Sequence, residues 1–260
     1  MSVLKRIKNT IFQIAELVFV PKCAACFTAL PSKDIPLCRE CMEAYRTESK
    51  RSCARCGRPY RYCVCRIDND GMRLPLVYVT SYDIRRSSVS RSMLLHLKDD
   101  RFDSAFDFLA DDMLMALRER YMRLFERGKV VITYLPRSEK ARRKAGHDQA
   151  EQIALRIAKR SGAPLVPLFG NRSKKKQKKL DRAQRKENAA KGYYLLNPEL
   201  RLDGRIVVLI DDIVTTGASV GACANLVKRA GAKAVIPLAC ARANSRRGLT
   251  ESDLLDRLYG

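Results

Sequence analysis

Eight of the ten cysteines in this 260-residue chain fall between positions 23 and 65, and their spacing leaves few ways to fold that stretch. Cys23, Cys26, Cys38 and Cys41 read C-x2-C-x11-C-x2-C; Cys53, Cys56, Cys63 and Cys65 read C-x2-C-x6-C-x-C. A C-x2-C knuckle turns two thiolates toward one ion, and a second pair closes a tetrahedral site. The surroundings, "PKCAACFTALPSKDIPLC" and "SCARCGRPYRYCVC", are rich in turn formers and short of apolar side chains, so metal has to substitute for a core. Two structural zinc ions are expected. A disulfide framework needs an oxidising compartment, and no export signal is visible. Iron-sulfur ligation suits a group split by eleven residues less well than a two-knuckle ribbon does. Redox-active C-x-x-C pairs usually open a helix in a βαβ setting. The spacing leaves open which knuckles share an ion, because interleaved sites satisfy it too. The remaining cysteines, Cys223 and Cys240, sit in apolar patterns and are read as small buried hydrophobes.

The first residues, "MSVLKRIKNTIFQIAELVFVPKC", place basic side chains before an apolar stretch, but Gln13 and Glu16 interrupt it and Pro21 leads into cysteines. Leu4, Ile7, Ile11, Ile14, Ala15 and Val18 recur at helical spacing, so a short amphipathic helix is expected. No apolar run reaches the roughly 20 residues that span a bilayer. A cytoplasmic protein without a membrane span is the expectation. The formal net charge of +23 points to polyanionic company: nucleic acid, phosphorylated small molecules or an acidic surface.

From about residue 73 the texture changes, which divides the chain into an N-terminal helix and cysteine module (1–72) and a larger domain (73–260). "LPLVYVTSY" reads as a strand, "SVSRSMLLHLKDD" and "DSAFDFLADDMLMALRERYMRLFERG" as helices, the latter stopping at Gly128. "KVVITYLP" reads as a strand buried on both faces, followed by the basic loop "RSEKARRKAGHD", the helix "QAEQIALRIAKR" and a weaker strand, "APLVPLF". "RIVVLI", "SVGACANLVKRAG" and "AKAVIPLACAR" complete a strand, helix, strand run. Alternating helices and buried strands predict an α/β fold with a parallel sheet flanked by helices. Between these elements, residues 171–191 carry ten Lys or Arg against two acids. Lys174, Lys175, Lys176, Lys178, Lys179 and Arg185 belong to this stretch, which is too polar to form core and is expected to be a flexible loop.

The strand "IVVLI" ends in Asp211 and Asp212, then "IVTTGAS". Thr215, Thr216, Gly217, Ala218 and Ser219 bring backbone N–H groups and hydroxyls toward one point at a helix N-terminus, which makes an anion cradle. Carboxylates accept hydrogen bonds from vicinal hydroxyls, so a sugar 5-phosphate would satisfy both halves. Ligands of such sheets bind beyond the carboxyl ends of strands, where Asp211 stands.

"VVLIDDIVTTGAS" resembles the phosphoribosyl pyrophosphate (PRPP) signature of type I phosphoribosyltransferases. With "FVPKCAAC", "YVTSYD" followed by "LLHLK", "LPRSEKARRKAGHDQAEQIA" and the spacing of Gln177, Leu180, Arg185, Asn188, Gly192 and Tyr193, nearly the whole chain is similar to the ComF family. Those competence-associated proteins join a double zinc ribbon to a phosphoribosyltransferase domain. Ala145, Gly146, His147, Asp148 and Gln149 stand where the family commonly shows Arg-Gly-aromatic-Asn-Gln. The resemblance implies that Asp211 and Asp212 bind the ribose hydroxyls, that Thr215 to Ser219 bind the 5-phosphate, and that Mg2+ accompanies PRPP. Arg137 and Ser138, in the loop after "YLP", would then meet pyrophosphate, with Asp211, Asp212 and Arg137 the catalytic set. Two functions follow: transfer of phosphoribosyl to a nitrogenous acceptor, or a binding module for single-stranded DNA or a competence helicase with a sensing or relic PRPP pocket. Tyr60 and Tyr62, among Arg58, Arg61 and Arg66, either stack bases or pack around the second cysteine group.

Overall fold

The computed structural model describes residues 20–69, 72–82, 87–97, 102–126, 128–139, 142–143, 146–172 and 182–243. The helix expected near the N-terminus, Lys174 to Lys179 and the tail after residue 243 lie outside the described residues. In chain order the elements are α1 (Arg39–Ser49), a 3-10 turn (Tyr60–Tyr62), β1 (Arg66–Asn69), β2 (Met72–Pro75), β3 (Val77–Tyr82), α2 (Val89–His96), α3 (Asp103–Arg120) and β4 (Val130–Tyr134). There follow α4 (Gln149–Ser161), β5 (Phe169–Asn171), α5 (Arg182–Gly192), β6 (Tyr193–Leu195), β7 (Ile206–Val214), α6 (Ala218–Arg229) and β8 (Ala234–Ala243).

The central sheet has the order β3-β8-β7-β4 with every pair parallel. Val207, Val208, Leu209 and Ile210 are fully buried, as a strand covered on both faces requires. One face carries α3 and α4 through Phe106, Leu109, Met113, Ile153 and Ile157; the other carries α6 through Val220, Cys223, Ala224 and Val227. The first cysteine group packs with the α3/α4 layer and the second with the α6 layer, so the N-terminal module grips the sheet from both sides.

Three side chains fasten that grip. Both Glu48 oxygens, from the end of α1, accept the Val89 and Ser90 N–H groups at 2.9 and 3.0 Å, capping α2 where its dipole favours an anion. The Asp112 carboxylate on α3 accepts the Tyr45 hydroxyl at 2.7 Å and pairs with Arg61. Arg120 donates to the carbonyls of Cys63 (2.6 Å) and Leu76 (3.2 Å), the two roots of the β1–β2 hairpin.

Four local expectations need correction. β7 does not end at Ile210 but runs through Asp211 and Asp212 to Val214, because β8 continues the ladder as far as Arg242. α3 ends at Arg120 and not at Gly128, because Tyr121 leaves helical geometry (φ −136°, ψ 65°) and a turn follows. "APLVPLF" makes only a bridge, Leu165 to Ile132, since Pro164 and Pro167 lack the donors a ladder needs; the strand is Phe169–Asn171, paired with Tyr193–Leu195. Residues 182–192, read as part of a flexible basic loop, are the helix α5, whose fully buried Ala189 is small enough to let it lie against α6.

Candidate functional site

Within each cysteine group all ligand atoms lie within 4.8 Å of one another. Cys26 and Cys38 Sγ are 3.7 Å apart, Cys53 and Cys65 3.9 Å, Cys56 and Cys63 3.7 Å. A tetrahedron with Zn–S arms of about 2.3 Å has edges of about 3.8 Å, so these separations fit one ion and not a disulfide near 2.05 Å. Cys23, Cys26, Cys38 and Cys41 form one site and Cys53, Cys56, Cys63 and Cys65 the other; the interleaved pairing is excluded by position. Each group could bind zinc. Burial opposes ionisation of Cys26, but its hydrogen bonds with Thr28 prevail and bring the thiol to about 6. Burial is likewise outweighed at Cys53, by the Arg55 N–H and the Tyr78 hydroxyl, again to about 6. Burial instead pushes Cys41 up and Cys65 up to about 12, so a metal entering either group would have to displace protons from thiols. Cys223 and Cys240 are fully buried, and burial pushes both thiols well up.

The acidic pair lies within β7, past the point where β4 stops: Asp211 pairs with Ala239 of β8, and the ladder to β8 continues as far as Val214 and Arg242. Asp211 Oδ1 accepts its neighbour's N–H at 3.0 Å, and Asp212 Oδ1 accepts that of Ile213 at 2.7 Å. Burial first, then the Asp212 charge, raises the Asp211 carboxyl well above the carboxylate range. After Val214 the chain bends through Thr215, Thr216 and Gly217 into α6. Gly217 is the N-cap, with φ 79°, a left-handed conformation that glycine adopts without penalty. Ser219, in the first turn of α6, hydrogen-bonds the Tyr193 hydroxyl from β6. Acceptors on the strand and donors on the helix start are therefore set side by side.

The neighbouring strand supplies the cation. β4 pairs with β7 in register, Tyr134 beside Ile210, so the loop after β4 must run beside Asp211 and Asp212. Leu135 N–H continues the ladder to the Ile210 carbonyl at 2.9 Å. Arg137 Nη2 then lies 3.8 Å from Asp212 Oδ2 and donates to Gln149 Oε1. Its backbone N–H donates to Asp148 Oδ2 at 2.7 Å. Asp148 is also the N-cap of α4, accepting the Ala150 N–H at 3.1 Å, and burial followed by the Asp212 charge raises its carboxyl against the pull of Arg137. Gln149 Nε2 donates to the Leu94 carbonyl at 3.0 Å, and His147 Nε2 meets the Leu97 carbonyl at 2.9 Å. The last turn of α2 is thereby bound to the Arg137 loop.

Residues 145–255 match the family model of the phosphoribosyl transferase domain. The matched part contains Asp148, Gln149, the acidic pair and the 215–219 loop; Arg137 and both cysteine groups precede it. A solved structure, the purine phosphoribosyltransferase from Pyrococcus horikoshii Ot3, is similar at 20% identity over 53% of this chain and 83% of that one, with a TM-score of 0.30. No curated protein matches the chain. Among the described residues no helix is long and apolar enough to cross a membrane.

The structure therefore brings Arg137, Asp211, Asp212 and the 215–219 loop to one end of the sheet. Ser138 follows Arg137 in the same loop; Arg142 and Arg143 are exposed in a helical turn, with Arg143 paired to Glu139 at 2.5 Å. Lys174, Lys175, Lys176, Lys178 and Lys179 lie outside the described residues, and Arg185 falls within α5. The two tyrosines divide: Tyr60 is buried against Tyr78 (ring centroids 5.5 Å), while Tyr62 is half exposed with its hydroxyl on Glu119 at 3.1 Å. Tyr60 cannot stack a base. Sequence reasoning did not place Asp148, Gln149 and Tyr193 in the site, although the motifs of the family resemblance include all three and Asp148 directly precedes a helical pattern, as an N-cap does.

Proposed function

We propose that the chain binds PRPP with Mg2+ and transfers its phosphoribosyl group to a nitrogenous acceptor. The reading is carried by one observation: the carboxyls of Asp211 and Asp212 in β7, the 215–219 turn into α6 and the Arg137 guanidinium from the loop after β4 lie together at one end of the sheet. Asp212 and Asp148 share the one guanidinium of Arg137, and burial beside Asp212 holds a proton on Asp211; a divalent cation and ribose hydroxyls would relieve this crowding of carboxyl groups. Bound Mg2+ would offset the charge of the pyrophosphate. The acidic pair holds the 2- and 3-hydroxyls, the 215–219 loop the 5-phosphate, and Arg137 the pyrophosphate oxygens. As the C1–O bond breaks and C1–N forms, the acceptor releases its proton and pyrophosphate departs with the bonding electrons. Such a reaction needs positioning and charge stabilisation more than a protein nucleophile. The basic segment enters and leaves beside this site, since Asn171 Nδ2 donates to the Pro136 carbonyl at 2.9 Å and Arg172 N–H to the Gly192 carbonyl at 3.0 Å. Its lysines are proposed to meet phosphate there. Zinc in both cysteine groups and a cytoplasmic location belong to the same reading.

Calorimetry with PRPP and Mg2+, followed by pyrophosphate release in the presence of nucleobases, tests it. Micromolar binding is expected; no heat with PRPP at millimolar concentration rejects the reading.

A second reading rests on the cysteine module. Arg51, Arg55, Arg58 and Arg66 are exposed around the second group, beside half-exposed Tyr62 and Val64. A basic surface with an aromatic ring suits single-stranded DNA. That reading fits the DNA-uptake role, alone or beside a helicase, implied by the resemblance to the ComF family.

A further inference from the structure

Gly217 is surrounded in an unexpected way. A Cβ at this position would lie 2.4 Å from Ile67 Cγ2, closer than side-chain carbons approach. The absent side chain therefore makes room for the protein's own Ile67, and the turn into α6 rests on a methyl group of β1. Ile67 follows Cys65 by two residues, is 4% exposed, and is held in register opposite Leu74 of β2. Two constraints set the hairpin's position. Arg120 clasps both of its roots, and the second cysteine group closes immediately before β1, with the Tyr78 hydroxyl bonded to Cys63 and Cys53.

A glycine turn is otherwise loose. Its peptide planes rotate at little cost, and a cradle of N–H groups binds an anion well only when they are already aligned. We propose that Ile67 is a positioning residue for the 215–219 loop, through which a metal ion in the second cysteine group sets the geometry of the anion cradle. Loss of that ion frees Cys63 and Cys65, loosens β1 and withdraws the methyl that supports Gly217. The first group packs on the opposite face, so the effect belongs to the second group alone. The proposal builds on the phosphate-loop reading, but its readout needs no ligand.

Backbone amide exchange on the zinc-loaded full chain provides the test, comparing wild type with Cys65→Ser, Ile67→Ala and Ile67→Val. Exchange across 215–219 should rise about tenfold or more in Cys65→Ser and in Ile67→Ala, which keeps all eight ligands. Exchange across 135–149 should stay as in wild type, and Ile67→Val should restore protection. PRPP affinity should fall roughly tenfold in the two loosened variants. Unchanged exchange at 215–219 in Ile67→Ala, or an equal rise in both loops, overturns the proposal. A wild type that takes no PRPP yet shows the selective rise rejects the transferase reading and leaves the coupling standing.

Discussion

Arg137 and Asp212 face each other across the ends of two parallel strands, Nη2 to Oδ2 at 3.8 Å, because β4 and β7 run in register up to Tyr134 and Ile210. Asp212 is held within β7, and Arg137 is not placed by its loop alone. Gln149 receives the guanidinium from below, and Gln149 is in turn fixed to Leu94.

Gln149→Ala should therefore leave the arginine present but poorly aimed. Pyrophosphate and PRPP affinity should drop about tenfold, as expected for losing orientation of one charged hydrogen bond. Binding of ribose 5-phosphate, which on the proposed reading would meet only the acidic pair and the 215–219 loop, should be spared. Calorimetry with the three ligands distinguishes this from general loosening, which would weaken all of them.

Asp211→Asn should raise stability while destroying binding. Burial raises the Asp211 carboxyl above its unfolded value, so the folded state holds a proton more firmly than the unfolded one. Its contribution is then fully present below the unfolded carboxylate range and is lost as pH rises through the folded value. The variant should melt a few degrees higher than wild type at pH 7 to 8, at roughly 2 to 4 °C per kcal/mol for a chain of this size. The gap should close as pH is lowered. A melting profile parallel to wild type at all pH values would contradict it.

Asp212→Asn, whose carboxylate lies beside Arg137, should weaken PRPP binding on the order of tenfold to a hundredfold with the fold intact. Circular dichroism beside calorimetry checks both halves.

Asp112→Ala should loosen both cysteine modules together. The carboxylate receives Tyr45 from one and Arg61 from the other, and removing it leaves the mostly buried guanidinium with Glu119, 3.6 Å away. A cost of about 1.5 to 3 kcal/mol is expected. Chemical denaturation measures that cost, and faster loss of zinc to a chelator reports the loosening. Unchanged zinc release would limit Asp112 to packing.

Metal analysis of the purified chain should give about two zinc ions. Replacing Lys174, Lys175, Lys176, Lys178 and Lys179 by Ala should weaken PRPP binding and leave the salt dependence of single-stranded DNA binding unchanged. A loss of slope near 0.7 per phosphate contact would instead assign those lysines to nucleic acid.

The apolar run of β7 and the glycine turn were legible in the sequence because each has a local cause; that β7 continues through the acidic pair to Val214 was not, because the ladder from β8 carries it there. The division of eight cysteines into two groups of four was legible because it too has a local cause. Asp148 and Gln149 were not, because their partner Arg137 arrives through the register of β4 beside β7 and the seat of α4 on α2, neither of which spacing encodes. Nor did any local pattern distinguish Tyr60 from Tyr62; only the approach of Tyr78 buries the first. The Ile67 contact with Gly217 was equally hidden, since the glycine's reason is a methyl group from another part of the chain.

The grip of the cysteine modules on both faces of the sheet also orders the events of synthesis. The segment from Cys23 to Cys65 shares its cores with β7, α6 and β8, which are made long after it. Contacts of such long sequence separation form slowly, and until they form its apolar side chains, among them Leu30, Leu37, Tyr45 and Tyr60, lack most of the surface that buries them. A nascent chain would have only thiolate–metal bonds to keep that segment compact while the ribosome completes the strands it must embrace. Scarcity of metal should then show as poor yield of folded protein well before it shows as lost binding.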